Sequence, residues 1–172
     1  MILIVMGVSG SGKSTIGQML ADQIGWPFFD GDDFHPPANV EKMSQGIPLT
    51  DEDRASWLAA LTRLIRDTLH KEESAVLACS ALKARYREQL RVDPEQVKFI
   101  YLKGSYAQIE ERMQSRSGHY MKPAMLASQF AALEEPSDAL TVSIDAAPEQ
   151  IVSQVISELH LSSTEGKKQA AS

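Results

Sequence analysis

Eight residues near the start of the chain have the types and the spacing of a phosphate-binding loop. Residues 7–14 read Gly-Val-Ser-Gly-Ser-Gly-Lys-Ser and satisfy the pattern G-x-x-x-x-G-K-[ST] in full. Backbone N–H groups of such a loop, with the positive end of the helix that follows, surround a polyphosphate. The lysine adds a mobile charge at the outer phosphates, and the serine hydroxyl can bind Mg²⁺. The residues expected to bind the nucleotide are Gly7, Val8, Ser9, Gly10, Ser11, Gly12, Lys13, Ser14 and Thr15.

Acidic side chains follow the next predicted strand. Residues 27–30 read as a short strand that leads into Asp30-Gly31-Asp32-Asp33. Carboxylates at the C-terminal end of a strand lie where ligands bind in open parallel sheets. Asp30 and Asp32 are two positions apart, so both could approach one ligand. A solvated turn is the alternative, because Asp and Gly are common turn formers. The neighbouring phosphate loop favours the functional interpretation.

Two basic residues follow this acidic loop before the third predicted strand. His35 precedes two prolines and is equally consistent with a structural role and with a ligand contact. Arg54 lies in the first turn of a predicted helix that Thr50 can cap, where the helix dipole disfavours a cation. This position indicates either a salt bridge to Asp51 or Asp30, or an anionic ligand.

Further basic pairs follow the third and fourth predicted strands. Lys83 and Arg87 are four residues apart on a helix that Ser80 is positioned to cap, and they indicate an oxyanion site or a solvated face. Arg112 and Arg116 are one turn apart at the end of a later helix. They either balance the helix dipole or belong to a lid that clamps phosphate.

Buried strands alternating with amphipathic helices must position these residues. The apolar runs that predict strands lie at 2–6, 27–30, 75–79, 97–102 and 140–144. Such alternation predicts an α/β fold, a three-layer α/β/α sandwich around a five-stranded parallel sheet with right-handed crossovers. Residues 31–73 and 116–136 leave the C-terminal edge of this sheet, as a substrate-binding segment and a lid would.

Length and composition fit one cytoplasmic domain. The chain has 172 residues, 43% of them hydrophobic and 23% charged. A net charge of −6 argues weakly against a nucleic-acid partner. The single cysteine excludes an internal disulfide, and no apolar run has the length of a membrane span. We expect one domain over residues 1–161, no signal peptide, no membrane partner, and a disordered tail over 162–172.

The arrangement resembles the small P-loop kinases of the adenylate and shikimate kinase kind, and is especially similar to the gluconate kinases (gluconokinases). The match covers nearly the whole chain and is far more specific than the phosphate loop alone. The segments that carry it, besides that loop with Met6, are Asp30-Gly31-Asp32, His35-Pro36, Asn39 to Met43 with Gly46, Pro48 and Leu49, Asp53-Arg54, Trp57-Leu58, Cys79 to Lys83, Tyr86-Arg87, Tyr101 to Gly104, Gly118 to Met121, Ser128 to Phe130, Leu133-Glu134 and Pro136.

The resemblance implies a reaction and its partners. Gluconate kinases phosphorylate D-gluconate at the 6-hydroxyl with ATP and Mg²⁺, giving 6-phospho-D-gluconate and ADP in cytoplasmic sugar-acid catabolism, commonly as homodimers. Lys13 and the loop amides would hold the phosphates, Ser14 would bind Mg²⁺, and Asp30 would orient a metal-bound water. Asp32 would act as the general base that accepts the proton of the 6-hydroxyl.

Other roles are implied for the basic residues. Arg116 would close with the lid over the transferring phosphoryl group, and Arg112 would stack on adenine. The residues implied to contact gluconate are Asp32, His35, Arg54, Lys83, Arg87 and His119.

One departure from the general P-loop plan is that the third strand ends in Cys79-Ser80 and not in an aspartate.

Three alternatives stay open at this point. A P-loop kinase for another small acceptor, such as shikimate or a nucleoside monophosphate, would need similar basic residues. A GTPase-type switch would need an Asn-Lys-x-Asp motif, which the chain lacks, and its one Asp-x-x-Gly, Asp22 to Gly25, ends the first helix. A catalytically inactive ATP-binding regulator is disfavoured by the presence of Lys13, Asp32 and Arg116.

Overall fold

Five parallel strands form the sheet predicted from the sequence. The computed structural model describes residues 1–115 and 123–162. The strands are β1 (Ile2–Met6), β2 (Phe28–Asp30), β3 (Ala75–Ala78), β4 (Val97–Lys103) and β5 (Leu140–Ser143). Their order across the sheet is β2-β3-β1-β4-β5, and every neighbouring pair is parallel. The predicted α/β fold class is confirmed, and the predicted strand ends agree to within one residue.

Helices connect the strands and cover both faces of the sheet. The helices are α1 (Lys13–Ile24), α2 (Pro37–Ser44), α3 (Asp51–His70), α4 (Ala84–Leu90), α5 (Tyr106–Ser115), α6 (Pro123–Ala132) and α7 (Pro148–Glu158), with a 3₁₀ turn at Gly31–Phe34. In the described ranges no helix combines the length and the apolar character needed to cross a membrane. The predicted tail beyond residue 162 and residues 116–122 of the predicted lid lie outside the described residues.

The alternation of side chains along β1 separates two hydrophobic cores. Leu3 and Val5 pack with α1 and α7 on one face of the sheet. Ile2, Ile4 and Met6 pack on the opposite face, with α3 and α4. All five residues of β1 are buried, because a central strand of a parallel sheet is covered on both faces. The three-layer sandwich follows from this continuous apolar run.

Helix α3 starts where its capping residue predicts. The Thr50 hydroxyl accepts a hydrogen bond from the Asp53 N–H at 3.1 Å, and the Asp53 carboxylate accepts one from the Thr50 N–H at 2.9 Å. This capping box satisfies two backbone donors at the start of the 20-residue helix. Its buried stripe includes Trp57, Leu58 and Leu61, so the cap fixes how α3 lies against the sheet.

Helix α4 does not start as predicted. Ser80 does not cap it, because the chain runs on through Ala81, whose φ is +44°, and the helix begins only at Ala84. Lys83 is the N-cap residue and makes no capping hydrogen bond with its side chain. The Glu134 carboxylate, 50 residues further on, accepts from the Ala84 N–H at 2.8 Å. Lys83 and Arg87 therefore do not share a helix face.

Candidate functional site

The carboxyl ends of β1, β2 and β3 bring the phosphate loop and the acidic loop to one edge of the sheet. Val5 and Asp30 are both register partners of Ala78, so the three strands end at the same level. From β1 the chain continues to β2 and β3 on one side of β1, and it then crosses to β4 on the other side. The carboxyl end of β1 therefore lies at a topological switch point of the sheet. Ligands of open parallel sheets bind at such points.

The phosphate loop has the conformation that an anion site needs. Gly10 and Gly12 have φ of +80° and +100°, in the left-handed region that favours glycine. Gly12 is the N-cap of α1 and has no side chain to accept a hydrogen bond, and the first turn of α1 contains no acidic residue. The N–H groups of that turn are therefore left for a bound anion, and the loop fits a nucleotide polyphosphate.

Lys13 lies at the base of this loop. Its Nζ donates a hydrogen bond to the Val8 carbonyl at 3.0 Å. Burial lowers the pKa of Lys13, and the negative charges of Asp32 and Asp30 oppose that effect. The lysine thus lies within electrostatic reach of both carboxylates, and a phosphate oxygen would be a stronger partner than the carbonyl that it now contacts.

Ser14 and Asp30 are brought together as a pair of hard oxygen donors. The Ser14 hydroxyl donates to Asp30 Oδ2 at 2.6 Å, and Asp30 Oδ1 accepts from the Asp32 N–H at 3.0 Å. Oxygen donors of this kind suit Mg²⁺. The described residues contain no group of three or more His, Cys, Asp or Glu side chains that could hold a metal ion. Magnesium at this position would need phosphate oxygens and water as its remaining ligands.

Cys79 follows β3 where many P-loop proteins have an acidic residue. Its side chain is buried, and burial raises the pKa of the thiol to about 12. A neutral thiol is a poor ligand for Mg²⁺. Any contribution of the protein to a metal site here would therefore come from Ser14 and Asp30.

Asp32 projects into solvent beside a buried histidine. The Asp32 side chain is 81% exposed, and its Oδ1 lies 3.9 Å from His35 Nε2. The His35 ring stacks on Trp57 with ring centroids 4.5 Å apart, and Trp57 Nε1 donates to the Gly31 carbonyl at 2.7 Å. Burial lowers the pKa of the His35 imidazole. The negative charge of Asp32 opposes this shift, and the positive charge of Arg54 adds to it. The imidazole is therefore held neutral and fixed next to a free carboxylate.

Arg54 and Lys83 meet around Tyr86. The Arg54 guanidinium lies over the Tyr86 ring, 5.8 Å from its centroid, with Nη1 3.4 Å from the hydroxyl. Lys83 Nζ donates to both oxygens of Asp51, at 3.0 and 3.2 Å. Among the described residues, Arg54 makes neither of the salt bridges considered above. Its charge is left for an anionic ligand.

Arg87 is placed differently from the prediction that it contacts substrate. Its side chain is buried, and its guanidinium donates to the carbonyls of Ala81, Leu82 and Glu134 at 2.9, 3.0 and 2.9 Å. These bonds tie the segment after β3 to the segment after α6. These contacts give Arg87 a structural role, because three of its five N–H donors hold main-chain carbonyls, and its contact with substrate stays a prediction.

Other predicted site residues lie at the border of the described region. Arg112, near the end of α5, donates through Nη2 to the Ile144 carbonyl next to β5. Its predicted stacking on adenine is not tested by this contact. Arg116 and His119 lie outside the described residues.

Gln129 was not predicted as a site residue. Its Oε1 accepts from the Ser9 N–H at 2.6 Å, and its Nε2 donates to the Ser9 hydroxyl at 2.9 Å. The side chain thus connects α6 to the phosphate loop across 120 residues. The only sequence signal for it is its place in the Ser128 to Phe130 segment of the resemblance.

Comparisons with known proteins agree with this geometry. The shikimate kinase family model matches residues 9–160. The gluconokinase of Gluconobacter oxydans (strain 621H) is 47% identical over 90% of this chain and 88% of its own length. The thermoresistant gluconokinase of Escherichia coli (strain K12) is 43% identical over 90% of this chain and 91% of its own. A crystal structure of a gluconokinase from Sinorhizobium meliloti 1021 superposes with a TM-score of 0.83 at 42% identity, covering 92% of this chain and 90% of that one.

Proposed function

Because this chain belongs to the gluconokinase family, we propose that it transfers a phosphoryl group from ATP to the 6-hydroxyl of D-gluconate, forming 6-phospho-D-gluconate and ADP. One observation carries the proposal on the structural side. The exposed Asp32 carboxylate lies within electrostatic reach of the phosphate-loop lysine, and Arg54, which has no salt bridge among the described residues, acts electrostatically on the neighbouring His35. With ATP bound at the phosphate loop, the phosphoryl donor, the proposed proton acceptor and the proposed binding group for an acid would share one edge of the sheet.

The donor half of the site consists of the phosphate loop and α1. The free N–H groups at the start of α1 would hold the phosphates of ATP, and Lys13 would exchange the Val8 carbonyl for a phosphate oxygen. Positive charge from both sources stabilises the charge that develops on the transferring phosphoryl oxygens. Ser14 and Asp30 would hold Mg²⁺, which neutralises phosphate charge when it is bound.

Asp32 is the proposed general base. It accepts the proton of the 6-hydroxyl while the bond from that oxygen to phosphorus forms and the bond from phosphorus to the ADP oxygen breaks. Its high exposure leaves the carboxylate accessible to the acceptor. The Asp32 main-chain N–H donates to the Asp30 carboxylate, which fixes the Asp30 side chain relative to the main chain at Asp32. One carboxylate therefore serves the metal and the other serves the acceptor.

The opposite end of gluconate is an acid and needs a cationic partner. Arg54 and Lys83 are the proposed partners of its carboxylate, because both lie at Tyr86 and Arg54 also acts electrostatically on the buried His35. An arginine suits this task because its planar guanidinium can bind both carboxylate oxygens. His35, held neutral, is proposed to bind one of the sugar hydroxyls. Arg87 is left out of this set because its side chain is buried and three of its N–H groups donate to main-chain carbonyls.

Several parts of the proposal concern features beyond the described contacts. Arg116 is proposed to stabilise the transferring phosphoryl group and His119 to contact gluconate, both from the predicted lid, while Arg112 stacks on adenine. We also propose one domain over residues 1–161 and a cytoplasmic homodimer without nucleic-acid or membrane partners. These statements rest on the resemblance to gluconate kinases.

Shikimate is the second candidate acceptor, since the matching family model is that of shikimate kinase. The identity of 47% to a gluconokinase over most of both chains favours gluconate.

The position of the new phosphate tests the proposed reaction. Incubation of the enzyme with ATP, Mg²⁺ and D-gluconate should yield one product whose ³¹P nucleus couples to the two protons on carbon 6 in a ¹H–³¹P correlation spectrum. Coupling to any other carbon position, or an absence of product with active controls, would overturn the proposal.

A further inference from the structure

The first residue of α3 is an aspartate that is surrounded by donors from another segment. Asp51 accepts from Lys83 Nζ at 3.0 and 3.2 Å, and it also contacts Arg85 Nη2 and the Tyr86 hydroxyl. Those three donors belong to the N-cap residue and the first turn of α4. The Asp51 side chain is nevertheless 43% exposed. A carboxylate is thus held at the rim of the site by groups that would hold the carboxylate of a ligand equally well.

Three cations gather around the ring of Tyr86, which itself contacts this carboxylate. Arg54, Lys83 and Arg85 each lie 5.4–5.8 Å from the centroid of the Tyr86 ring. Asp51 is the acid that pairs with Lys83 and Arg85, while Arg54 contacts only Tyr86 among these groups. Among the described residues Arg54 has no carboxylate in salt-bridge contact, and its charge attracts an anionic ligand to this cluster.

The cationic group is continuous with the acceptor end of the site. Arg54 acts electrostatically on His35, and His35 Nε2 lies 3.9 Å from Asp32. Arg54 and Asp51 are both in the first turn of α3, so the cations and the proposed general base are connected through one helix start. An acceptor with its hydroxyl at Asp32 would extend its other end towards these cations.

We propose that Asp51 occupies, as an internal carboxylate, the place that the carboxylate of an aldonate acceptor takes, and that acceptor binding displaces it from Lys83, Arg85 and Tyr86. This inference rests on the proposed function and adds Asp51, Arg85 and Tyr86 to the groups that determine specificity. A neutral sugar cannot replace Asp51 at these donors, so the exchange selects for acceptors that carry an acid.

The free-energy cost of displacing the Asp51 carboxylate from these donors is small. Exposed ion pairs contribute weakly to stability, and both Asp51 and Arg85 are substantially exposed, at 43% and 56%. After release, the carboxylate remains at the N-terminus of α3, where the helix dipole favours negative charge. The ligand then gains the three donors and the nearby Arg54 charge.

Gluconate binding to Asp51→Asn tests the exchange. Asparagine keeps the shape of the side chain and removes the competing charge, so the Kd of gluconate measured by calorimetry without nucleotide should fall about three- to tenfold. The KM for ATP should not change. Glu52→Gln is the matched control, because Glu52 is the next residue of the same helix turn and is exposed. It should leave the Kd of gluconate unchanged.

Structural damage in Asp51→Asn would raise the Kd of gluconate, whereas removal of a competing carboxylate lowers it. The two explanations therefore predict changes of Kd in opposite directions. Arg85→Gln should raise the Kd of gluconate, and Asp51→Asn should have a smaller effect in that background. A Kd that is unchanged or raised in Asp51→Asn, and also in Asp51→Ala, would overturn the inference. A wild-type enzyme that binds no gluconate would instead contradict the proposed function itself.

Discussion

Asp32 and Asp33 are adjacent exposed carboxylates, but only Asp32 lies beside His35 and within reach of Lys13. The proposed mechanism needs the Asp32 carboxylate as a proton acceptor. We expect Asp32→Asn to lower kcat by about 10²-fold or more, because the amide cannot accept the proton of the hydroxyl. The affinity for nucleotide, measured with a fluorescent ATP analogue, should stay within about twofold. Asp33→Asn should keep normal turnover, and near-normal turnover in Asp32→Asn would remove Asp32 as the base.

His35 makes the stability of the fold depend on pH. Burial lowers the pKa of His35 below its ordinary value of 6.5, so the unfolded chain binds the proton more readily than the folded one. The stabilisation is complete above pH 6.5 and is lost progressively as the pH falls below that value. We expect the fall in the urea midpoint from pH 7 to pH 5 to be shallower in His35→Gln than in the wild type. His70→Gln, at an exposed histidine, should keep the wild-type slope. Parallel slopes for His35→Gln and wild type would contradict this account.

At the scale of elements, the contact between α6 and the phosphate loop is the feature with the clearest functional consequence. Gln129 holds both the N–H and the hydroxyl of Ser9, so it fixes the loop before nucleotide binds. Loss of both bonds in Gln129→Ala should raise the KM for ATP about three- to tenfold, while the KM for gluconate stays unchanged. Steady-state kinetics with each substrate varied in turn would measure this split.

The control for this prediction is a glutamine that does not touch the loop. Gln154 is exposed on α7 and pairs with Glu158, so Gln154→Ala should leave both KM values unchanged. Equal effects of Gln129→Ala on the two KM values would indicate general damage to the fold and would argue against a role in positioning the loop.

Elements with strong local signals could be predicted from the sequence. The apolar run of β1 and the glycine spacing after it define a strand and a phosphate loop without reference to the rest of the chain. Thr50 and Asp53 are likewise three residues apart and form their capping box locally. The start of α4 was predicted wrongly because its partner, Glu134, is 50 residues away. The roles of Arg87 and Gln129 were missed for the same reason: their hydrogen bonds join distant segments.

At the scale of the whole molecule, the sheet order explains why one site serves donor and acceptor. Placing β3 between β1 and β2 puts the phosphate loop and the acidic loop on either side of the end of β3. The tight turn at Gly31 makes this approach possible, because a Cβ there would lie 2.6 Å from the Ala78 carbonyl oxygen. Asp30 and Asp32 therefore keep their positions beside β3. The topology, more than any single contact, brings the charges together.

We propose that this site phosphorylates gluconate in preference to other small acceptors. A coupled assay of ADP release, run with ATP and Mg²⁺ over gluconate, other aldonates, shikimate and nucleoside monophosphates, measures this preference. We expect the highest kcat/KM with gluconate and little or no turnover with shikimate or the monophosphates. Turnover with shikimate or a monophosphate, but none with gluconate, would contradict it.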